Sequence, residues 1–540
     1  MGQKIRNVIL LGHTGSGKSS LTKSLLQAMG KDVNRAELKK NTRSTFFSCE
    51  HQDDALVLID TPGNDNFCHD SMIAAHIADS AILSICADEA HSFQTEKAAQ
   101  LIQLSTMPAI IFINKMDVAE ADFSATVAAI KKNIILDPAL IFLPIGSGPD
   151  FQGVIDVINE RAIYFSENGA VRHDTIPPEL ASEAYLALQK LMEQVAETDD
   201  ELIEEFLEEG ELDIVDLKYS LARAVASCAL APVLPGAAKG SLGIGTLIEM
   251  INNLFPPAPS ADSPLLAQLF RHENSSEHGP LLYCKVKQGT LNKDTFNISR
   301  KCPEQIKKIF IPDGDDLAET DSLTAGMIGA LSGLRYSGPG DTIASLEDMD
   351  PLAELPSPPH PSTTCSVHSA ETDMEAMFTA LAMAIAEDPS LQVAQQPQTG
   401  ETLLSGQGRL HLETVCQQIR DRHGIELHLT LPQIPYQEAN SSPDNNNKML
   451  EPIMKLTIDL PVDSVGQVIR DLNNRRAKVM EMKSRPGNET IISQVPMAEI
   501  LEYGADLAQL SDGRATFTTD FSHYEQLPPH LASHISAGPS

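Results

Sequence analysis

GHTGSGKSS (Gly12–Ser20) lies between an apolar run, Asn7–Leu11, and a stretch of helical spacing, Leu21–Met29. It has the form G-x-x-x-x-G-K-[ST]. Backbone N–H groups of such a loop wrap phosphate oxygens, the lysine (Lys18) reaches the β/γ-phosphates and the hydroxyl (Ser19) ligates Mg²⁺. Strand, glycine loop and helix in that order place the phosphates on a helix N-terminus. The phosphate-binding candidates are Gly12, His13, Thr14, Gly15, Ser16, Gly17, Lys18, Ser19 and Ser20. A second apolar run, Ala55–Ile59, ends in DTPG: Asp60, Thr61, Pro62 and Gly63. There a carboxylate can hold the Mg²⁺ shell and the Gly63 amide can sense a γ-phosphate. A third run, Ala109–Ile113, ends in NKMD, where Asn114, Lys115 and Asp117 are candidates. The Asp117 carboxylate can accept from N1–H and N2–H of guanine, two donors that adenine does not present together. Three strings in this order, each at the end of an apolar run, predict a GTP/GDP site with Mg²⁺ on an α/β sheet.

A chain of 540 residues with a net charge of −34 exceeds one core, and three to five domains are expected. The acidic balance argues against a protein held to nucleic acid mainly by counterion release. It leaves room for local basic contacts, and Arg470, Arg475, Arg476, Lys478, Lys483 and Arg485 cluster near the C-terminus, opposite an acid-rich Glu193–Asp216. Either run also reads as a solvated face. Eight cysteines without a C-x-x-C pair fit reduced thiols and lend no support to a metal–thiolate site. Met72–Ala87 is the most apolar stretch and is broken by His76 and Asp79, so no membrane span is expected. The N-terminus enters the first strand directly, and Arg6 stands where a myristoylation signal needs Ser or Thr. The expected location is cytoplasmic.

Apolar runs and turn signals divide the chain into a multidomain architecture. Residues 1–262 read as a P-loop domain carrying a helical insert over about 152–230, with helix faces at Leu180, Ala184, Leu188, Leu191 and Val195. Residues 263–354 hold short β runs, Leu281–Lys287, Ile306–Pro312 and Ala325–Leu334, and predict a β-barrel. Residues 362–438 and 450–530 repeat strand, helix, strand, strand, helix, strand, as in two ferredoxin-like α+β domains. The polar stretch 439–449 between them reads as a linker, and the tail beyond Pro528 as frayed.

With these motifs in hand, the chain resembles elongation factor G, the ribosomal translocase family, over nearly its whole length, and within it the divergent branch with a GHxGSGK loop. The resemblance rests further on Gly236-Ala237-Ala238, Gly289-Thr290-Leu291, GETLLSGQGRLHLE (Gly400–Glu413), LEPIMKLTIDLP (Leu450–Pro461), DLNNRR (Asp471–Arg476) and DFSHYE (Asp520–Glu525). It implies a GTPase whose partner is the ribosome, through rRNA and ribosomal proteins, with no DNA or membrane partner and a monomeric state. It implies that an Ala237 or Ala238 amide reaches guanine O6, and that the acidic insert contacts the stalk protein.

Three departures qualify what the resemblance implies. The family has a further domain between its ferredoxin-like units, the arm that enters the decoding centre. Here only Ala439–Lys448 is available, ten residues spanning at most about 35 Å, too few to fold as a domain. The family continues DTPG with a histidine that orients the attacking water, and this chain has Asn64. The catalytic candidates are then Asn64, Lys18 and Gly63, with slow hydrolysis expected. The switch loop before Asp60 lacks the family's arginine-glycine-isoleucine-threonine string, so Thr42, with Thr45 second, joins Ser19 and Asp60 as the metal-ligand candidates. The expectation is a ribosome-docking GTPase that is not a competent translocase, with recycling, splitting or protection as its output. The alternative is a GTP-dependent binding module with little hydrolysis.

Overall fold

The computed structural model describes residues 4–31, 42–51, 54–89, 92–166, 171–258, 263–345, 349–369, 374–438, 449–485, 487–528 and 530–531. They fall into two compact units, 1–357 and 358–540.

The first unit is built on a sheet whose parallel strands are Lys4–Leu11, Asp54–Asp60, Ser80–Cys86, Ala109–Asn114, Ala231–Pro235 and Pro138–Ala139. Thr45–His51 is added antiparallel at one edge. Helices cover both faces, which is why these strands read as unbroken apolar runs: Val8 to Leu10, Ile82, Leu83 and Ile110 to Ile113 are fully buried. Phosphate loop, DTPG and NKMD all follow the C-terminal ends of parallel strands in this one sheet, where an open α/β sheet gathers its ligands.

The insert expected to be helical over 152–230 begins as an antiparallel sheet, with Gly153–Asp156, Arg161–Phe165 and Val171–Asp174 continuing from Phe142–Ile145. Helices take over only at Ala181–Ala196, Asp200–Glu209 and Ile214–Ala226. The short run RAIYF buries Ala162 and Ile163 against the domain core, a tertiary contact that its length alone does not announce.

The same unit carries an eight-stranded antiparallel sheet running from Leu266 to Ala344, curled round Leu269, Cys284, Val286, Ile309, Leu323 and Leu331 as a barrel. Its strand Leu266–Ser275 has two buried sides. Ala267 and Leu269 face the barrel core, while Phe270 joins the core of the nucleotide domain, ringed by Phe46 and Tyr283 at 5.8 and 6.2 Å between centroids. Polar groups fix the same interface. Lys285, 1% exposed, donates to Asp79 at 2.8 Å and to the Gly326 carbonyl at 3.1 Å, and Asn7 donates to both of those acceptors. Such a buried pair adds little net stability but penalises any other docking of barrel on sheet, because either charge alone would be stranded.

The second unit contains two sheets of the same topology. Thr363–Ser369 and Thr402–Gly406 are central in one, flanked by Leu427–Thr430 and Gln392–Gln395. Met449–Pro461 and Asn488–Pro496 are central in the other, flanked by Thr516–Gln526 and Lys478–Arg485. Two helices pack on each, Met374–Glu387 with Arg409–His423 and Val465–Asn474 with Tyr503–Leu510. Both are ferredoxin-like. The stretch read as linker, 439–448, lies outside the described residues.

Candidate functional site

The phosphate loop has a shape that only glycine permits at two points. Gly12 has φ +145°, and a Cβ there would stand 2.3 Å from the Ser84 carbonyl. Gly17 has φ +90°, and its Cβ would stand 2.2 Å from Asn114 Nδ2. Gly17 is also the N-cap of helix Lys18–Ala28 and offers no side-chain acceptor, so the first N–H groups of that helix are left for an anion.

Lys18 is 6% exposed and is held by carbonyls alone: Nζ donates to Gly12 at 2.7 Å and His13 at 2.9 Å. Burial pulls its pKa down to about 8, with Asp60 opposing. A desolvated ammonium with neutral acceptors gains most from a phosphate, which supplies the missing charge. Gly63 lies against it, and a Cβ at Gly63 would meet Lys18 Nζ at 2.7 Å; Thr14 Oγ1 donates to the Gly63 carbonyl. DTPG and the phosphate loop are thus in contact.

Ser19 Oγ donates to Asp60 Oδ2 at 3.2 Å, and Asp60 is fully buried. A buried carboxylate beside a hydroxyl is an oxygen set that fits a hard divalent cation, for which the Ser19 hydroxyl turns to offer its lone pair. Thr45 is the first residue of its strand and pairs in register with Asp60, while Thr42 precedes that strand.

The guanine side is assembled by Asn114. Its Nδ2 donates to the Ser16 carbonyl at 2.8 Å, and its Oδ1 accepts from the Ala238 amide at 2.9 Å, tying the phosphate loop to the Gly236–Ala238 loop. Lys115 adopts φ +63°, a left-handed conformation that costs a non-glycine residue about 1 kcal/mol and fixes the direction of its stem. Asp117 is exposed and accepts no hydrogen bond among the described residues. The two alanines are occupied differently from expectation. Ala238 N–H is engaged by Asn114, and Ala237 N–H donates to the Leu242 carbonyl at 3.0 Å, so neither amide is open toward a base.

Asn64 does not face the phosphates with its acceptor. Oδ1 takes the Asn66 backbone N–H at 2.9 Å and its side-chain amide at 2.7 Å, as the N-cap of the short helix Asp65–Phe67. Orienting a water for attack requires a group that accepts the water's proton, and this carbonyl oxygen is already committed.

Several supports carry no sequence signal. His13 is 3% exposed and bonds Thr95 Oγ1 at 3.1 Å; burial lowers its pKa, with Glu89 opposing, so the ring is neutral at pH 7. Gln94 accepts the Thr14 N–H at 3.0 Å, Ser84 Oγ donates to Ser16, and Ser24 Oγ donates to Ala238. Cys86 lies under the loop, its thiol pushed up to about 11 by burial and therefore unreactive.

The C-terminal basic cluster is largely consumed within its own domain. Arg475 pairs with Asp471 and Asp506 and lies over the Tyr503 ring at 4.9 Å. Arg476 is bidentate to Glu451 at 2.7 and 3.0 Å and bonds Glu499 as well. Lys478 pairs with Glu525, and Lys483 lies 3.4 Å from Glu481. Of the six cations, Arg470 and Arg485 have no carboxylate partner among the described residues.

Comparison with known proteins finds three matching family models along the chain. The elongation factor Tu GTP binding domain matches residues 3–257, elongation factor G domain III matches 358–431, and the elongation factor G C-terminus matches 448–535. Elongation factor G of Thermotoga neapolitana is 27% identical over 680 aligned positions, covering 98% of both chains, and that of Thermotoga maritima is equally similar. A crystal structure of a protein from Thermus thermophilus superposes with a TM-score of 0.85 at 24% identity, over 99% of each chain. Between the domain III and C-terminal matches, this chain has the sixteen residues 432–447.

Proposed function

The chain belongs to the elongation factor G family, and from that premise we propose that it is a guanine-nucleotide switch that docks on the ribosome without driving translocation. What supports this reading is the gathering of the phosphate loop, DTPG and NKMD on one sheet, in a chain with only sixteen residues, 432–447, between the domain III and C-terminal matches, where the resemblance puts the decoding-centre arm. An arm of that length can form no domain, so it cannot displace tRNA. What remains is binding and release governed by the nucleotide, as recycling, splitting or protection of ribosomes requires.

In this reading the amides of Gly15–Lys18 and the Lys18 ammonium take the phosphates, and Asp117 selects guanine. Ser19, Asp60 and Thr42 hold Mg²⁺, which when bound neutralises charge on the β/γ-phosphate oxygens. With Ala237 and Ala238 engaged, the donor to guanine O6 falls to the next amide, Lys239. Asn64 caps a turn and contributes only its NH₂ group, so hydrolysis is slow in isolation and depends on groups supplied by the ribosome. That same residue favours the second reading, a GTP-locked module with little turnover.

Single-turnover GTP hydrolysis, measured alone, with intact ribosomes and with post-termination complexes, separates the two. Stimulation of about 10²-fold or more by one ribosomal state is expected. The absence of stimulation in every state would leave the locked module. No co-sedimentation with ribosomes in any nucleotide state would remove ribosome docking altogether.

A further inference from the structure

One buried cation of the first unit has no part in the pocket. Arg271 lies on the barrel strand Leu266–Ser275 and is 8% exposed. Its Nη1 donates to the Ser44 carbonyl at 2.9 Å, and its Nη2 donates to Asp70 Oδ1 at 2.8 Å. The other oxygen of Asp70 accepts both the backbone N–H and the hydroxyl of Ser44. All three polar groups of Ser44 are therefore held in one closed ring of bonds with Asp70 and Arg271. The guanidinium lies over the Phe46 ring at 5.1 Å and the Tyr283 ring at 5.7 Å.

The position of this ring gives it a consequence. Ser44 is two residues from Thr42 and adjoins Thr45, which pairs with Asp60. Asp70 lies in the first turn of helix Cys68–Ile77, seven residues beyond Gly63. The ring thus joins the trailing end of the switch-loop segment, the helix that follows DTPG, and the barrel. Thr42 and Gly63 are the two groups of those segments assigned to Mg²⁺ and the γ-phosphate.

We infer that Arg271 is a positioning residue, a clamp borne by the barrel that presets both phosphate-sensing segments and makes γ-phosphate binding and barrel docking favour each other. This rests on the guanine-nucleotide reading above. The mechanism is a linkage: segments anchored in advance lose less freedom when a γ-phosphate recruits them, and by reciprocity the γ-phosphate tightens the clamp. GDP makes no demand on either segment, so the clamp is invisible to it. Lysine cannot substitute, since a single ammonium does not span the Ser44 carbonyl and the Asp70 carboxylate in one plane.

The test is a titration of full-length Arg271→Gln with a fluorescent non-hydrolysable GTP analogue and with fluorescent GDP. We expect the analogue to bind about tenfold more weakly and GDP to stay within about twofold, with Arg271→Lys behaving like Arg271→Gln and Asp70→Asn showing the same selective loss. Equal loss for both nucleotides, no loss, or full recovery in Arg271→Lys overturns the clamp. If Arg271→Gln fails to fold, seen as lost GDP binding together with a lowered melting temperature, Ser44→Ala carries the test. It removes one bond of the ring, and a selective loss of about threefold is expected; an unchanged ratio of the two affinities overturns the clamp. Wild-type protein that binds neither nucleotide overturns the nucleotide reading as well, whereas wild-type binding with unaltered variants overturns only the clamp.

Discussion

Lys18 and Arg476 are both withdrawn from solvent, one in each unit, and they are held in opposite ways. Lys18 touches two carbonyl oxygens, and burial pulls its pKa down to about 8. Arg476 is bidentate to Glu451, whose side chain is 4% exposed, with Glu499 on its flank, and these partners hold its pKa up. A cation kept on neutral acceptors is poised for an anionic ligand, whereas one already facing carboxylates is part of the fold. By that criterion the nucleotide loop is a site. Most of the C-terminal basic cluster is paired within its own domain, and Arg470 and Arg485 have no carboxylate partner among the described residues.

The contrast can be broken by exchanging the effects of the two residues. Lys18→Ala is expected to weaken GTP binding about 10³-fold, roughly 4 kcal/mol, with no loss of thermal stability, because a desolvated charge is removed. Arg476→Met is expected to leave GTP affinity unchanged and to destabilise the C-terminal domain by about 3 kcal/mol, since Glu451 is stranded. Calorimetry and nucleotide titration on both variants check the pair; a nucleotide phenotype for Arg476→Met would erase the distinction.

Selectivity should yield a somewhat smaller effect. If the exposed Asp117 carboxylate accepts guanine's two donors, as proposed above, Asp117→Asn is expected to cost GTP about 10²-fold and to recover affinity for xanthosine triphosphate. Competition between the two nucleotides measures it, and unchanged GTP affinity would dismiss Asp117.

Protonation sharpens the comparison further. Lys18 titrates near 8 in the free pocket, and a bound triphosphate raises its pKa, so the complex binds more protons than the free protein. Affinity is then complete below pH 8 and falls as pH rises above it, by up to about tenfold between pH 7.5 and 9. A flat profile across that range contradicts the desolvated lysine. The smallest effect belongs to Asn64. Asn64→Ala should change ribosome-stimulated hydrolysis less than about threefold, with loss of a cap near 1 kcal/mol, whereas a water-orienting residue would cost 10² or more.

The pocket was legible in the sequence because its groups lie in three short strings whose order and flanking runs are local. The ferredoxin-like pairs were legible as a repeated order of elements. What stayed hidden depends on contacts between distant segments. Leu266–Ser275 contains Gln268 and Arg271, residues that obscure a strand until His76, Ser44 and Asp70 of the facing nucleotide domain supply their partners. The acids that neutralise Arg475, Arg476 and Lys478, namely Glu451, Asp506 and Glu525, are scattered over the last ninety residues, so proximity in sequence suggested a free basic patch. Asn64 followed DTPG where a catalytic group was expected, and only the bond to the Asn66 amide revealed a turn cap. Ala237 and Ala238 lie in the loop that Asn114 ties to the phosphate loop, but a sequence carries no record of which amides that loop keeps for itself.

The central claim is a nucleotide-governed ribosome binder, and ribosome co-sedimentation in two nucleotide states tests it most directly. The account expects at least about tenfold tighter binding with a non-hydrolysable GTP analogue than with GDP. Equal binding in both states, or none in either, would contradict it.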